Sequence, residues 1–259
     1  MSLALRDRVC VVTGSAKSIG LGIAETYCRE GAAVGLIDID PQVMEQSDRL
    51  NAAGYNTKAF VIDITDQRAV FECFQEIEKT LGPVFALANV AGFVDQQKIE
   101  EVTPERIDKV MQINVNGTLY CTQGALKSMR ILKNGRIINF SSKSGKTGSA
   151  LMAAYSGAKG AIIAITHSLA FELAPDNIKV NCLCPGITGD TGVWDSVSKG
   201  YTKELAMPME AVVEKFTDKI PLQRLANIDD IVAYTRFLTV DGDYCTGQAL
   251  NVTGGREVH

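Results

Sequence analysis

The chain has 259 residues, 46% of them hydrophobic, which is enough to bury one sizeable core and excludes a disordered chain. Its 26 Lys and Arg against 30 Asp and Glu leave a formal charge of −4 with both signs interleaved, so neither a nucleic acid nor a membrane surface is an expected partner. No apolar run approaches the roughly 18 residues that cross a bilayer, and charge within Met1 to Arg8, followed by a strand-like run, argues against a secretory leader.

Short Val- and Ile-rich runs alternate with longer segments of helical period, the pattern of βαβ units around a parallel sheet. In chain order the predicted elements are strand Val9–Thr13, helix Ile19–Glu30, strand Ala33–Asp38, helix Gln42–Ala53, strand Lys58–Asp63 and helix Gln67–Leu81. Strand Phe85–Asn89, one long helix Pro104–Lys133, strand Arg136–Ser141, helix Ala153–Ala174, strand Lys179–Cys184, helix Ile228–Thr239 and strand Ala249–Val252 follow. Strands this apolar are covered on both faces. The expected fold is therefore an α/β single domain over residues 1–259, a doubly wound (Rossmann) parallel seven-stranded sheet with helices on both faces. Gly31, Gly54, Gly82 and Gly135 each follow a helical stretch, where a helix ends on a residue of positive φ.

Seven cysteines lie at positions 10, 28, 73, 121, 182, 184 and 245 without metal or disulfide spacing, and read as reduced thiols of a cytoplasmic protein. Two histidines, His167 and His259, are too few for a histidine metal site, so no metal is expected.

In a doubly wound sheet ligands bind beyond the carboxyl ends of the strands. After the first strand comes Thr13-Gly14-Ser15-Ala16-Lys17-Ser18-Ile19-Gly20, opening straight into a helix. Small residues there let backbone N–H groups and the helix dipole reach a pyrophosphate. Asp38 ends the second strand, where a carboxylate accepts from ribose hydroxyls and repels a 2′-phosphate; this favours NAD over NADP. Lys17 pulls the other way, as a cation in the phosphate loop. Asp63-Ile64 closes the third strand and Asn89-Val90-Ala91-Gly92 the fourth, each a polar group beside a small or apolar wall for an adenine and ribose.

Tyr155-Ser156-Gly157-Ala158-Lys159 places a phenol and an ammonium four residues apart, on one helix face. A fixed ammonium, with the positive charge of an oxidised nicotinamide nearby, lowers the phenol's pKa toward neutrality, so Tyr155 serves as base in alcohol oxidation and acid in carbonyl reduction. Ser142, at the end of the fifth strand, offers a hydroxyl to the substrate oxygen. Asn114 lies in a helical stretch weakened by β-branched neighbours and Gly117, with an amide placed to hold a water between Lys159 and solvent.

Taken together and in this order, these segments resemble the short-chain dehydrogenase/reductase family over about Leu5 to Gly255. The resemblance implies a catalytic set of Asn114, Ser142, Tyr155 and Lys159, and a cofactor lined by Gly14, Ile19, Asp38, Asp63, Asn89, Pro185, Gly186 and Thr188. It also implies a homotetramer built on the two long helices and the last strand, and the apolar run Ala161–Ile165 has surface to spare for one. Two departures stand out. Ser18 replaces the middle glycine of the phosphate loop, and Asp190 takes the place of a threonine after Pro185-Gly186, with Thr191 displaced by one.

Segments 142–149 and 244–255 are similar to those of the family's polyol dehydrogenases, sorbitol-6-phosphate 2-dehydrogenases among them. Lys143 and Lys146, just past Ser142, are candidates for pairing with a phosphate or a string of hydroxyls. Residues 188–225 carry Trp194, the single tryptophan, and read as a lid over a small-molecule site. An apolar lid beside lysines and Asp190 suits a polyol, a ketose or a phosphate of either. Reduction of another ketone (3-oxoacyl, diketone or cyclic) stays open, as does a non-catalytic NAD-binding regulatory protein. An acyl-carrier partner would call for a cluster of arginines at the cleft, and the sequence has none in line.

Overall fold

The structure is a computed structural model that describes residues 3–259; Met1 and Ser2, the first two residues of the Met1–Arg8 segment, lie outside them. Seven strands form one parallel sheet: β1 Val9–Thr13, β2 Ala33–Asp38, β3 Asn56–Val61, β4 Val84–Asn89, β5 Gly135–Phe140, β6 Ile178–Pro185 and β7 Ala249–Val252. Their order is β3-β2-β1-β4-β5-β6-β7. The chain winds outward from β1 to β3, then crosses to β4 on the other side of β1, with Thr13 opposite Asn89 at the carboxyl ends. That reversal of winding opens a crevice above the β1–β4 seam. The doubly wound seven-stranded sheet is as expected from the sequence.

Helices α1 Ser18–Arg29, α2 Gln42–Ala52 and α10 Ile228–Val240 cover one face, through a core of Ile23, Tyr27, Leu50 and Ile231 against Leu36 and Ile138. On the other face lie α3 Gln67–Thr80, α5 Gly117–Leu132 and α7 Ala153–Leu173, whose core includes Phe74, Cys121, Met129 and Leu173. Among the described residues no helix is long and apolar enough to cross a membrane. All seven cysteines are free, six of them buried.

Four expectations are corrected. The strand predicted at Lys58–Asp63 runs from Asn56 to Val61, because β2 pairs from Ala33 opposite Asn56. The long helix Pro104–Lys133 is three pieces: α4 Pro104–Met111, a π-helical turn Gln112–Asn116, and α5. Gly31, Gly54 and Gly82 do take positive φ, whereas at Gly135 it is Lys133 that ends the helix, with φ 47°. Gly135 is instead small because a β-carbon there would stand 2.7 Å from Met129 Sδ. Finally, the loop expected to carry Lys143 and Lys146 forms a short helix, α6 Lys143–Thr147, and segment 188–225 folds into α8 Gly192–Leu205 and α9 Met209–Thr217.

Candidate active site

The phosphate turn leaves β1 through Gly14, whose φ of +68° and contact with Ala91 exclude a side chain: a β-carbon would lie 2.9 Å from the Ala91 backbone. Gly20 is tighter still, its would-be β-carbon 2.0 Å from the Gly14 carbonyl oxygen, so the first turn of α1 lies directly on the loop. Thr13 Oγ1 accepts from the N–H groups of Val90 and Ala91, both at 3.1 Å, tying the end of β4 to the end of β1. Ser18 holds φ at +52°, a left-handed backbone where glycine is at ease and serine costs about 1–2 kcal/mol. The substitution therefore keeps the glycine's conformation and bears the strain.

Asp38 Oδ2 accepts from Ala16 N–H at 2.8 Å and Oδ1 from Asp40 N–H at 3.0 Å, so the carboxylate braces the loop while each oxygen keeps a further lone pair. Lys17 is two-thirds exposed and pairs with Asp40 at 3.5 Å. Its charge is partly answered within the protein, which weakens its claim on a 2′-phosphate.

Two residues assigned to the cofactor wall, Asn89 and Ile64, are buried in the protein, and a third, Asp63, is exposed in a turn. Asn89, 3% exposed, donates to Asn139 Oδ1 at 2.9 Å and Thr122 Oγ1 at 3.2 Å, so its amide is turned into the sheet. Ile64 is buried among Val70 and Phe74 and packs where a β-carbon on Gly117 would come within 2.6 Å. Asp63 accepts from Thr65 N–H at 2.9 Å and its hydroxyl at 2.8 Å, a turn-stabilising role. Their placement at the ends of β3 and β4 had suggested a lining; alternation and the packing of α5 turn two of the side chains inward.

One cavity of about 590 Å³ brings together Ile19, Gly92, Ser142, Tyr155, Lys159 and the β6 exit. At that exit Pro185, Gly186 and Thr188 line the wall, with Thr191 capping α8 by accepting from Trp194 N–H at 3.2 Å. Asp190 is exposed, at φ 54°, and does not line the cavity, whereas Thr191 does. Trp194 lines the cavity and stacks edge-on with Phe216, centroids 6.2 Å apart.

Tyr155 is 8% and Lys159 4% exposed. The Lys159 ammonium lies 5.7 Å from the centre of the Tyr155 ring and donates to the Phe140 carbonyl at 2.7 Å. Burial pushes the phenol up to about 12, opposed by the Ser142 hydroxyl, and pushes Lys159 down to about 8. In the protein alone, loss of water around the phenol sets its titration; the expected lowering calls for the positive charge of an oxidised nicotinamide as well as the ammonium. Ser142 Oγ accepts from Ser144 N–H at 3.1 Å as the cap of α6, which leaves its own proton to donate.

Asn114, 1% exposed, sits in the π turn. Such turns displace backbone from helical register and recur at functional sites. Both Nδ2 protons are committed, to Phe93 O at 2.7 Å and Val110 O at 2.9 Å, and Oδ1 accepts from Phe93 N–H at 3.3 Å. The side chain anchors the strand exit at Phe93 beside Lys159, with Gly92 between, where a β-carbon would stand 2.9 Å from Asn114 Oδ1 and 3.4 Å from Lys159 Nζ, and Oδ1 keeps a second lone pair for a water. Lys143 lines the cavity and donates to Gly148 O at 3.2 Å. Lys146 does not line it; its charge acts on Cys182 and Cys184 of β6. Sequence reasoning missed Lys215, Phe216, Lys219 and Arg256, which share this wall. They belong to no local motif and meet Lys143 only through the fold.

A glycine-lined turn over the β1–β4 seam, with Ser142 and the buried Tyr155 and Lys159 in one cavity, defines a dinucleotide-dependent oxidoreductase of the doubly wound class. The short chain dehydrogenase family model matches residues 8–202, and the chain belongs to that family. It is 33% identical to a sorbitol dehydrogenase of Cereibacter sphaeroides over 97% of this chain and 98% of that one. It is also 33% identical to 2-(S)-hydroxypropyl-CoM dehydrogenase 3 of Xanthobacter autotrophicus, over 98% of each. A crystal structure of NAD+-bound xylitol dehydrogenase superposes with a TM-score of 0.93 at 29% identity, covering 97% of this chain and 99% of that one.

Proposed function

We propose that this chain is an NAD-dependent oxidoreductase that interconverts a secondary alcohol and its ketone, with a polyol or its phosphate and the matching ketose as the substrate pair. The observation that carries it is the shared cavity wall of Ser142, Tyr155 and Lys159 beside Ile19, Gly186 and Thr188. Similarity to a sorbitol and to a xylitol dehydrogenase supports the polyol class.

The protein's residues fit the cofactor, since Gly14 and Gly20 leave a cradle that β-carbons would fill and the α1 amino end faces it. Asp38 at the end of β2, with Lys17 already paired to Asp40, supports NAD over NADP. Bound NAD supplies the acceptor or donor of hydride, and its oxidised ring the extra positive charge that favours a phenolate. In alcohol oxidation Ser142 Oγ donates a hydrogen bond to the substrate oxygen, and Tyr155 Oη takes the hydroxyl proton as the alcohol becomes a ketone. In reduction the same phenol returns the proton. Lys159, held by the Phe140 carbonyl, keeps a cation beside the ring. Helices α8 and α9, carrying Trp194 and Phe216, serve as the lid.

Assembly as a homotetramer accords with Phe171 standing 85% exposed on α7, and a cytoplasmic setting with seven unpaired thiols. Incubation with NAD and a panel of polyols and polyol phosphates, followed by nicotinamide absorbance, tests the activity. Turnover of at least one is expected; none with any secondary alcohol or ketone would leave a nucleotide-binding regulator.

A further inference from the structure

We propose that the substrate carries a phosphate monoester, held by Arg256 with Lys143 and Lys219 in the wall of the cavity next to Phe216. This deepens the function proposed above and rests on it for the alcohol chemistry.

Among the described residues the cavity wall contains five cationic side chains, Lys143, Lys159, Lys215, Lys219 and Arg256, and no Asp, Glu, Asn or Gln. A bare polyol needs acceptors for its hydroxyl protons, and acid and amide side chains are the usual suppliers. A wall without them, in a chain whose formal charge is −4, is built for an anion. Lys159 has its carbonyl partner and its place beside Tyr155, which leaves four cations outside the catalytic set.

The fold holds Arg256 there deliberately. Gly254 and Gly255, with φ of 64° and 91°, turn the chain back after β7; β-carbons on them would strike Ile220 at 2.7 Å and Pro221 at 3.0 Å. That contact brings the end of α9 and the C-terminal turn together, and Leu222 N–H donates to Gly254 O at 3.2 Å to fix it. Thr253 Oγ1 accepts from Glu257 N–H at 3.2 Å on the far side of the turn. The Arg256 guanidinium lies 5.9 Å from the Phe216 ring centre, and its side chain is 18% exposed.

One guanidinium nitrogen, Nη1, is buried without a hydrogen-bond partner among the described residues, a rare condition for so strong a donor. Its ion-pair partner among the described residues, Glu257, meets Nε at 3.5 Å but lines a different cavity, with Pro221 and Asn251. Lys143, Lys219 and Arg256 share the wall of one cavity, and burial, with the charges of Arg256 and Lys219, holds the Lys143 ammonium below its ordinary pKa. Three cations and one carboxylate leave a surplus of two positive charges, the complement of a phosphate monoester, which carries about −1.5 to −2 near neutral pH. A guanidinium fork matches its oxygens.

The test compares kcat/KM, in the direction of ketone reduction, for ketose phosphates, the same ketoses without phosphate, and keto-aldonates, in the wild type, Arg256→Ala and Arg256→Lys. The wild type should prefer the phosphate by at least about 30-fold over the neutral ketose; Arg256→Ala should lower that ratio at least about 10-fold, and Arg256→Lys should retain part of it. Inorganic phosphate should raise the melting temperature of the NAD-bound wild type and do so less for Arg256→Ala. Turnover of neutral ketoses with no preference for phosphate, and a ratio unmoved by Arg256→Ala, overturns the inference while leaving the polyol function standing. A preference for keto-aldonates over phosphates overturns the phosphate assignment. If no sugar is turned over yet phosphate still stabilises the protein through Arg256, the polyol class fails and the anion site stands; loss of both sinks the site too.

Discussion

Replacing Asn114 by alanine is the sharpest test of how the π turn supports the site. The amide makes three hydrogen bonds, two to Phe93 and one to Val110, from a position 1% exposed. A net value of about 1 kcal/mol for each gives a loss of about 3 kcal/mol. For a chain of this size that is a fall of about 6–12 °C in melting temperature. Because Phe93 leaves the strand next to Gly92, which sits between Asn114 and Lys159, the loss should also reach the chemistry, as a drop in kcat at least as large as any rise in KM. Thermal denaturation and steady-state kinetics on the purified variant measure both. A melting temperature within about 2 °C of the wild type, or unchanged kcat, would refute the claim that this side chain pins the strand exit under the lysine.

Other substitutions probe separate parts. Ser18→Gly should relieve the left-handed strain and, after the entropy cost of glycine, stabilise the fold by about 0.5–1 kcal/mol while leaving NAD bound; a lower melting temperature would show that Ser18 is not strained. Asp38→Ala should shift the ratio of NADP to NAD affinity by at least about tenfold toward NADP, measured by cofactor titration, and an unmoved ratio would remove Asp38 from the selection. Lys159 titrates near 8 in the fold and at its ordinary 10.5 in the unfolded chain, which therefore holds the extra proton between those values. Stability should accordingly rise with pH across that window, by up to about 3 kcal/mol, and Lys159→Met should flatten the rise relative to the wild type in denaturant titrations. A steeper rise in the variant would contradict it.

The sheet was legible because each strand is an apolar run bounded by turn residues, and β1, β2 and β7 fall where the pattern put them. Tyr155, Lys159 and Ser142 were legible because they lie on or beside one helix at fixed spacing. Charge was read less well: of the two lysines after Ser142, Lys143 lines the cavity and Lys146 does not, a difference that depends on how the short helix α6 sits against the cavity rather than on spacing. Gly135 follows a helix as the capping glycines do but for a different cause, steric room for Met129 rather than a left-handed cap. The balance between burial and an adjacent ammonium at Tyr155 depends on how much water the fold removes, which spacing does not carry. Arg256 and Lys219 were invisible for a further reason: 113 positions separate Lys143 from Arg256, and only the turn at Gly254-Gly255 brings them to one wall.

Tyr155→Phe keeps the ring, its burial and the nucleotide crevice, and removes only the oxygen that exchanges the proton. Turnover of the best alcohol substrate should fall by about 10²–10⁴-fold, while NAD affinity, measured by calorimetry on the same preparation, stays within about threefold. Turnover close to that of the wild type would contradict the account, because the proton would then be moving through some other group.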